Sequence, residues 1–392
     1  MNADVIYLDN NATTAIDPRV AAVMADALAS GPANPSSQHG VGRAAHSLVE
    51  TALSSIAQSL HTDFSLPSGP RLIFTSGGTE SNHLALAGLG DKDCPLIVSR
   101  IEHPSVLATA QAMQAAGRDV RWWDVDQNGV VDLKKLPSLL ENDAQPKAGL
   151  VSLMSANNET GVLQPIAATA QICDRAGVAL HIDATQTIGK LPTDLDQLGA
   201  SAVTFTAHKF HGPAGIGALW INGQTKVRPV FHGGEQQLTT RPGTLPVALI
   251  IAMAEALRIA TDDLQATIAH TSSLRDQLQQ TLTSSFDELV INGGAAERLP
   301  GTTNISFVGS DRQNMLMALD MRGVACSSGS ACSSGSNPPS HVLLAMGVES
   351  GLVQSALRFG LSKFSTAEEI EDAIERISSV YKRLRHRDNV EN

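Results

Sequence analysis

Between about residue 18 and residue 250, short apolar runs typical of β-strands alternate with longer stretches typical of helices. Alternation of this kind predicts an α/β domain with a mostly parallel sheet, because each helix carries the chain back to start the next strand in the same direction. The predicted strands are Leu72–Thr75, Leu96–Ser99, Leu150–Met154, Val178–Ile182 and Ala202–Thr206.

The first helix of this region has recognisable ends. Asp17 is the predicted N-cap, Pro18 occupies the first helical position, and Gly31 follows the end. Its predicted buried face, at the spacing of one helical stripe, is formed by Val20, Met24, Ala27 and Leu28.

The chain changes character at about residue 248. The stretches Ala248–Ala260 and Leu264–Thr283 are predicted to be helices, and Ala367–Arg387 is predicted to be an amphipathic helix with a basic end. A length of 392 residues is compatible with two or three domains. We therefore expect a second, smaller α+β domain in the carboxyl-terminal part.

The composition of the chain argues against several classes of function. The formal net charge of −11 disfavours general binding to nucleic acid. The longest apolar run that we find, Val247 to Ala254, has eight residues, far short of the roughly 20 that span a bilayer. The first residues do not resemble a secretory signal, and four cysteines in a chain of this length do not predict a disulfide framework. We expect a cytoplasmic protein without membrane or nucleic-acid partners.

Polar residues follow each predicted strand. In open α/β sheets, ligands bind outside the carboxyl ends of the strands, so these groups predict a site at that edge. They are Ser76-Gly77-Gly78-Thr79, Glu102-His103, Asn157-Asn158-Glu159, Asp183-Ala-Thr-Gln186 and Ala207-His208-Lys209.

Three of these groups together indicate a cofactor. Gly77 and Gly78 open a predicted helix whose free N–H groups suit a phosphate, and the sequence has neither a dinucleotide nor a Walker-type motif. Asp183 ends an apolar strand, where a buried carboxylate needs a cationic partner. Lys209 is a candidate Schiff-base lysine. An aspartate for the pyridinium nitrogen and a lysine for the aldehyde are the protein groups that pyridoxal 5'-phosphate requires.

The chain resembles the cysteine desulfurases, which belong to the class V aminotransferase-like, fold-type I pyridoxal-phosphate enzymes. The resemblance runs from Leu8-Asp-Asn-Asn-Ala-Thr-Thr14 to Leu357-Arg-Phe-Gly360. Its other motifs are Thr75-Ser-Gly-Gly-Thr-Glu-Ser81, Glu102-His103, Asn157-Asn-Glu-Thr-Gly161, His181-Ile-Asp-Ala-Thr-Gln186, His208-Lys209, Gly212-Pro213 and Gly243-Thr-Leu-Pro246. The segment Ser327-Ser-Gly-Ser-Ala-Cys332 is similar to the long-loop group that supplies sulfur for iron–sulfur clusters.

The resemblance implies an architecture. It implies a large domain at residues 15–250, with a mostly parallel seven-stranded sheet that binds pyridoxal phosphate. It also implies a small α+β domain, made of residues 1–14 and 251–392, that carries a mobile cysteine loop at about residues 323–340.

The resemblance also implies roles for individual residues. Lys209 forms the Schiff base, Asp183 pairs with the ring nitrogen, and Asn158 and Gln186 bind the phenolic oxygen. His103 stacks on the ring and is an acid–base group toward the substrate thiol. Arg358 and Asn34 bind the substrate carboxylate, for which a guanidinium fork is well suited. The phosphate is bound by Gly78, Thr79, Thr206 and His208, and by Thr244 from the other subunit of a homodimer.

A duplicated hexapeptide leaves two candidate nucleophiles, Cys326 and Cys332. In the family the loop cysteine lies eight residues before the serine of a Pro-Ser pair. Cys332 stands at this distance from Ser340 of Pro339-Ser340, whereas the same distance from Cys326 ends at Ser334. Cys332 is therefore the predicted nucleophile, and Cys326 is expected at a packed position. No metal site is expected, because no third ligand lies nearby at metal-binding spacing.

The predicted function is conversion of L-cysteine to L-alanine, with the sulfur transferred to Cys332 as a persulfide. The persulfide would supply iron–sulfur clusters or other acceptors through a partner protein such as an iron–sulfur scaffold, whose identity the sequence leaves open. A selenocysteine lyase or another class V lyase or aminotransferase remains an alternative, because all of these keep the cofactor residues.

Overall fold

The computed structural model describes residues 5–31, 34–141, 147–329 and 338–388, with side chains up to residue 385. The predicted nucleophile Cys332 lies outside the described residues. The strands are β1 (Ile6–Tyr7), β2 (Arg71–Thr75), β3 (Leu96–Ser99), β4 (Val120–Trp123), β5 (Leu150–Met154), β6 (Ala179–Asp183), β7 (Ala202–Thr206), β8 (Gly217–Ile221), β9 (Val290–Ile291), β10 (Thr302–Ser306), β11 (Val324–Ala325) and β12 (Ala356–Gly360). The α-helices are α1 (Pro18–Ala29), α2 (Gly40–Ser59), α3 (Gly78–Gly88), α4 (Pro104–Ala115), α5 (Leu136–Leu140), α6 (Ile166–Ala176), α7 (Val247–Asp262), α8 (Leu264–Ser285), α9 (Arg312–Asp320), α10 (His341–Ala345), α11 (Ser350–Gln354) and α12 (Ala367–Asp388).

A seven-stranded sheet, in the order β2-β8-β7-β6-β5-β3-β4, forms the centre of the larger part of the chain. Strand β8 pairs antiparallel with both β2 and β7, and the other neighbouring strands run parallel. The predicted α/β fold with a mostly parallel sheet is confirmed. The five predicted strands are present within one residue at each end, and β4 and β8 join them.

Helix α1 begins as predicted. The Asp17 side chain accepts a hydrogen bond from the Arg19 N–H, and Pro18 is the first helical residue. Val20 is buried and Met24 packs on the core, but Leu28 is 66% exposed. The predicted burial of Leu28 is wrong, because α1 contacts the core only along its first two turns.

One large group of buried apolar side chains precedes residue 263, and a second follows it and also includes Ile6 and Leu8. One is built on the sheet and helix α7, and it includes Ile250, Met253 and Leu257. The other joins β1, α8, β10, β12 and α12, with Leu278, Phe359 and Tyr381 at its centre. Helix α7 crosses the predicted domain boundary at residue 250 and packs with the sheet. The division into two domains with these bounds stays a prediction.

The smaller part contains two further sheets. Strands β12, β10 and β9 are antiparallel, and β1 pairs in parallel with β11. The first strand of the chain is therefore joined to the carboxyl-terminal part. No described helix combines the length and the apolar character needed to span a membrane.

Candidate active site

A cavity of about 230 Å³ lies at the carboxyl ends of β2, β3, β5, β6 and β7. Nine of the predicted site residues line it: Gly78, Thr79, His103, Asn158, Asp183, Gln186, Thr206, His208 and Lys209. Parallel strands place their carboxyl ends on one edge, which is why residues far apart in sequence meet here.

One end of the cavity is the start of helix α3. The backbone of Gly77 passes so close to β8 that a Cβ on Gly217 would lie 2.5 Å from the Gly77 carbonyl carbon. The Glu80 carboxylate accepts a hydrogen bond of 2.7 Å from the Ser76 N–H and pairs with Arg241 at 2.8 Å. This turn presents the first N–H groups of an eleven-residue helix to the cavity, an arrangement that binds phosphate.

Asp183 also lines the cavity, and only 4% of it is exposed. Its Oδ2 accepts a hydrogen bond of 2.7 Å from Asn82 Nδ2, and its Oδ1 accepts one of 3.0 Å from the Thr185 N–H. The Asn82 amide nitrogen also donates to Ser105 Oγ at 2.9 Å. Sequence analysis did not single out Asn82 or Ser105. Asn82 follows Gly78 by four residues and so shares its helix face, and this spacing could have revealed it.

His103 is the N-cap of α4, and its Nδ1 accepts hydrogen bonds from Ser105. Because Nδ1 is an acceptor, the proton of the neutral ring lies on Nε2. Burial lowers the pKa of His103, and the Asp183 charge opposes this shift only in part. A chain of hydrogen bonds thus joins Asp183, Asn82 and Ser105 to a neutral imidazole.

Lys209 follows β7 in a single turn of 3₁₀ helix. Its Nζ donates to the carbonyl oxygens of Asn11 and Ala12, at 2.6 and 2.7 Å. The segment after β1 therefore lies directly against the predicted Schiff-base lysine. Burial, together with the charges of Lys209 and Lys190, lowers the pKa of His208 to about 4.

Lys190 is a basic residue that contacts the cavity-lining Gln186 and was not predicted from the sequence. Its Nζ donates to Gln186 Oε1 at 2.9 Å, and Gln186 Nε2 donates to the Asn11 carbonyl at 3.0 Å. These two bonds fix which end of the Gln186 amide is the oxygen. Burial, with the charges of Lys209 and Arg358, lowers the pKa of Lys190 to about 7. Its position one helical turn after Gln186 was the available signal.

Arg358, in β12, is held directly behind the cavity. Its Nη1 donates to the Asn158 carbonyl at 3.0 Å and its Nη2 to Asp9 Oδ1 at 2.6 Å. Arg358 does not line the cavity itself, and neither do the predicted Asn34 and Thr244. Asn34 is exposed and its side chain accepts from the Ser36 N–H, while Thr244 lies exposed before α7.

Cys326, the second candidate nucleophile, packs against the carboxyl-terminal core. Burial raises the pKa of its thiol, which disfavours the reactive thiolate. Within the described ranges no three His, Cys, Asp or Glu side chains are grouped to hold a metal ion.

The family model for aminotransferase class V matches residues 6–372. The chain belongs to the class V aminotransferase family. A relative in this family, cysteine desulfurase IscS of Pectobacterium atrosepticum, is 40% identical over 390 residues, which cover 97% of this chain and 93% of the relative.

Solved structures of family members agree with the fold. A NifS-like protein from Rickettsia africae superimposes with a TM-score of 0.88 at 34% identity, covering 96% of this chain and 99% of that one. Another structure, titled NifS-like protein, has a TM-score of 0.87 at 34% identity, covering 97% of this chain and 100% of that one. The predicted family resemblance, the enzyme class of cysteine desulfurase and the pyridoxal-phosphate cofactor are confirmed.

Proposed function

We propose that this protein converts L-cysteine to L-alanine and keeps the sulfur as a persulfide on Cys332. One observation carries the proposal. A buried aspartate, a lysine and the N-terminus of α3 surround the same cavity. Pyridoxal phosphate needs these three groups, for its ring nitrogen, its aldehyde and its phosphate. The donor set therefore fits the cofactor.

When bound, pyridoxal phosphate supplies the electron sink that makes the Cα–H and C–S bonds of the substrate breakable. Asp183 keeps a proton on the ring nitrogen, while Asn158 and Gln186 bind the phenolic oxygen. Gly78, Thr79, Thr206 and His208 bind the phosphate. Lys209 would hold the aldehyde carbon, and its amine would accept the Cα proton of the substrate.

The remaining residues act on the substrate. Arg358, with Asn34, binds the substrate carboxylate and so orients Cα. The neutral His103 takes up and returns the proton of the substrate thiol. The Cys332 thiolate then attacks the substrate sulfur. The C–S bond breaks, the S–S bond forms, and the carbon skeleton gains a proton to leave as L-alanine.

The cofactor assignment is tested by chemical labelling. Borohydride reduction followed by peptide mapping should place the pyridoxyl group on Lys209. The Lys209→Ala variant should bind L-cysteine but release neither sulfide nor alanine. Wild-type protein given L-cysteine and a reductant should form sulfide and alanine in equal amounts. A label on another lysine, or alanine without sulfide, would overturn the proposal.

The nucleophile is tested with the two loop cysteines as a matched pair. Cys332→Ser should change the cofactor spectrum on addition of L-cysteine, yet release essentially no sulfide. Cys326→Ser should keep most of the activity. Mass spectrometry after a brief cysteine pulse should find one added sulfur on the Cys332 peptide. An adduct on Cys326 would show that the spacing argument chose the wrong cysteine.

A homodimer is part of the proposal, with Thr244 of each subunit completing the other's phosphate site. Supporting it, Phe231 and Leu238, in the segment that precedes Thr244, are 54% and 73% exposed. Gln237, Leu238 and Thr239 all adopt left-handed backbone angles, which non-glycine residues seldom do without support from contacts. The protein should sediment as a dimer, and Thr244→Ala should weaken cofactor retention. Full activity in a monomer would contradict this.

A cytoplasmic location and delivery of the sulfur to an iron–sulfur scaffold complete the proposal. Transfer of ³⁵S from a labelled persulfide to such a scaffold, with Cys332→Ser as the control, would test the delivery step.

A further inference from the structure

Glu159 is a buried acidic residue that the proposed chemistry does not use. It follows β5 in the turn formed by Asn157 to Gly161, and none of its surface is exposed. Its Oε2 accepts a hydrogen bond of 2.5 Å from Ser340 Oγ. Its Oε1 has no hydrogen-bond partner among the described residues. Burying a carboxyl group costs free energy unless it is hydrogen-bonded. The contacts of Glu159 therefore point to a role for this residue.

The contacts of Glu159 lie on both sides of the segment that contains Cys332. Ser340, on the far side, is the N-cap of α10 and accepts from the Leu343 N–H at 3.1 Å. Gly329, on the near side, packs so closely that a Cβ there would lie 3.0 Å from Glu159 Oε2 and 3.4 Å from the Ser340 Cβ. Gly329 also has a φ of +83°, which favours glycine. Glu159 therefore contacts both ends of the segment between these two residues, Ser340 through a hydrogen bond and Gly329 through close packing.

The same turn carries groups of the proposed substrate site. The Asn158 side chain lines the cavity, and the Asn158 carbonyl accepts from Arg358. Asn157 Oδ1 accepts from the N–H groups of Glu159 and Thr160, each at 2.9 Å, which fixes the turn. The chain that approaches Gly329 pairs with β12, since the Ser327 carbonyl accepts from the Arg358 N–H at 2.6 Å. The turn thus links the cavity, the carboxylate-binding arginine and both ends of the cysteine segment.

We propose that Glu159 is a positioning residue that holds both ends of the Cys332 segment beside the substrate site, and thereby sets the rate of sulfur transfer to Cys332. This inference rests on the proposed function, in which Cys332 accepts the sulfur. Fixing the ends of a chain raises the local concentration of a group between them, so loosening an end lowers the frequency of productive attack. The steps at the cofactor do not depend on this contact.

The test separates the cofactor steps from sulfur transfer. In Ser340→Ala, rapid mixing with L-cysteine should show the wild-type rate of cofactor absorbance change. Persulfide trapped on Cys332 should form about tenfold more slowly, as expected for loss of one strong hydrogen bond. The kcat for sulfide should fall by the same factor with KM for cysteine unchanged.

Substitutions of Glu159 itself provide the complementary evidence. Glu159→Gln keeps an oxygen that can accept from Ser340 and should retain most of the transfer rate. Glu159→Leu cannot accept and should match Ser340→Ala, and the double variant should be no slower than the slower single variant. Asp311→Ala is the matched control, because it removes the N-cap of α9 away from this contact, and its transfer rate should be that of the wild type.

Two results overturn the inference. Unchanged persulfide formation in Ser340→Ala means that the contact does not position the segment. An equal slowing of the cofactor absorbance change means that the contact only supports the cavity. Absence of a persulfide on Cys332 in the wild-type protein is a different failure, since it rejects the proposed function itself.

Discussion

Asn82 connects two residues of the predicted site, Asp183 and His103. One amide nitrogen donates both to Asp183 and to Ser105, and Ser105 contacts the imidazole of His103. The Asn82 side chain therefore contributes to the orientation of both the carboxylate and the ring. A residue without a role in the proposed chemistry thus contacts, directly or through Ser105, two residues that have one.

We expect Asn82→Ala to weaken cofactor binding by about tenfold or more, since a hydrogen bond to a charged group contributes about 1.5–3 kcal/mol. Titration of the apoenzyme with pyridoxal phosphate, followed by absorbance, measures this. His83→Ala, an exposed change on the same helix, is the control and should bind normally. Equal affinity of the wild-type and Asn82→Ala proteins would show that Asp183 is oriented by other contacts.

Sequence reasoning succeeded for residues that end strands and failed for those that support them. Nine predicted residues line one cavity because the strand ends fix their location. Asn82 and Lys190 act from inside a helix and a turn, where an asparagine or a lysine is common without any role. Their importance comes from their hydrogen bonds to Asp183 and Gln186, which only the folded structure brings within reach.

Among the elements, helix α1 is joined to the carboxyl-terminal part of the chain through its N-cap residue. The Asp17 carboxylate caps the helix and also accepts a hydrogen bond of 2.6 Å from Lys363 Nζ, three residues after β12. Hydrogen bonds from Arg19 hold the pKa of Asp17 well below its usual range, with Lys363 contributing and burial opposing. One carboxylate thus stabilises a local structure and a long-range contact together.

Asp17→Ala should lower the free energy of unfolding by about 3 kcal/mol, because it removes a cap and leaves the Lys363 ammonium without its carboxylate. Urea denaturation measures the loss. The reference is Asp311→Ala, which removes only the cap of α9 and should cost about 1 kcal/mol. Equal losses in the two variants would mean that the ion pair contributes nothing.

Within the seven-stranded sheet, the strands that were not predicted from the sequence are β4 and β8, which have weak local signals. Strand β4 contains Arg121, whose buried guanidinium interrupts the apolar pattern and bonds to the Leu139 carbonyl. Strand β8 follows β7 without a helix between them, and so breaks the alternation that identified the other strands. Its pairing with β2, more than 140 residues earlier, is a tertiary contact that local patterns do not encode.

For the molecule as a whole, four histidines are kept neutral by the fold. Burial lowers the pKa of His103, His181, His208 and His211, to about 4 for the last two. In the unfolded chain these groups become protonated below the ordinary value of 6.5. One carboxyl group acts in the opposite direction, because burial raises the pKa of Glu102 to about 8.

Below pH 6.5 the unfolded chain therefore binds more protons than the folded protein, and acidification favours unfolding. The free energy of unfolding should fall between pH 6.5 and 4, by about 3 kcal/mol or more. Urea denaturation at a series of pH values with excess cofactor measures this. His211→Asn removes one of the four groups at a left-handed position that asparagine tolerates, so its pH dependence should be shallower. A profile as steep as that of the wild type would exclude His211 as a contributor.

The position of Gly329 limits how far the proposed persulfide on Cys332 can move. Cys332 is three residues from Gly329 and eight from Ser340, and a fully extended chain spans at most about 3.6 Å per residue. While Gly329 stays packed on Glu159, the Cys332 Cα remains within about 11 Å of Gly329. This limit does not depend on the length of the stretch between Cys332 and Ser340. In the proposed transfer, an acceptor must therefore reach to within about this distance of Gly329. Inserting residues between Cys332 and Ser340 would not extend this radius. Each doubling of loop length would add only about 0.6 kcal/mol to the free-energy cost of closing the loop.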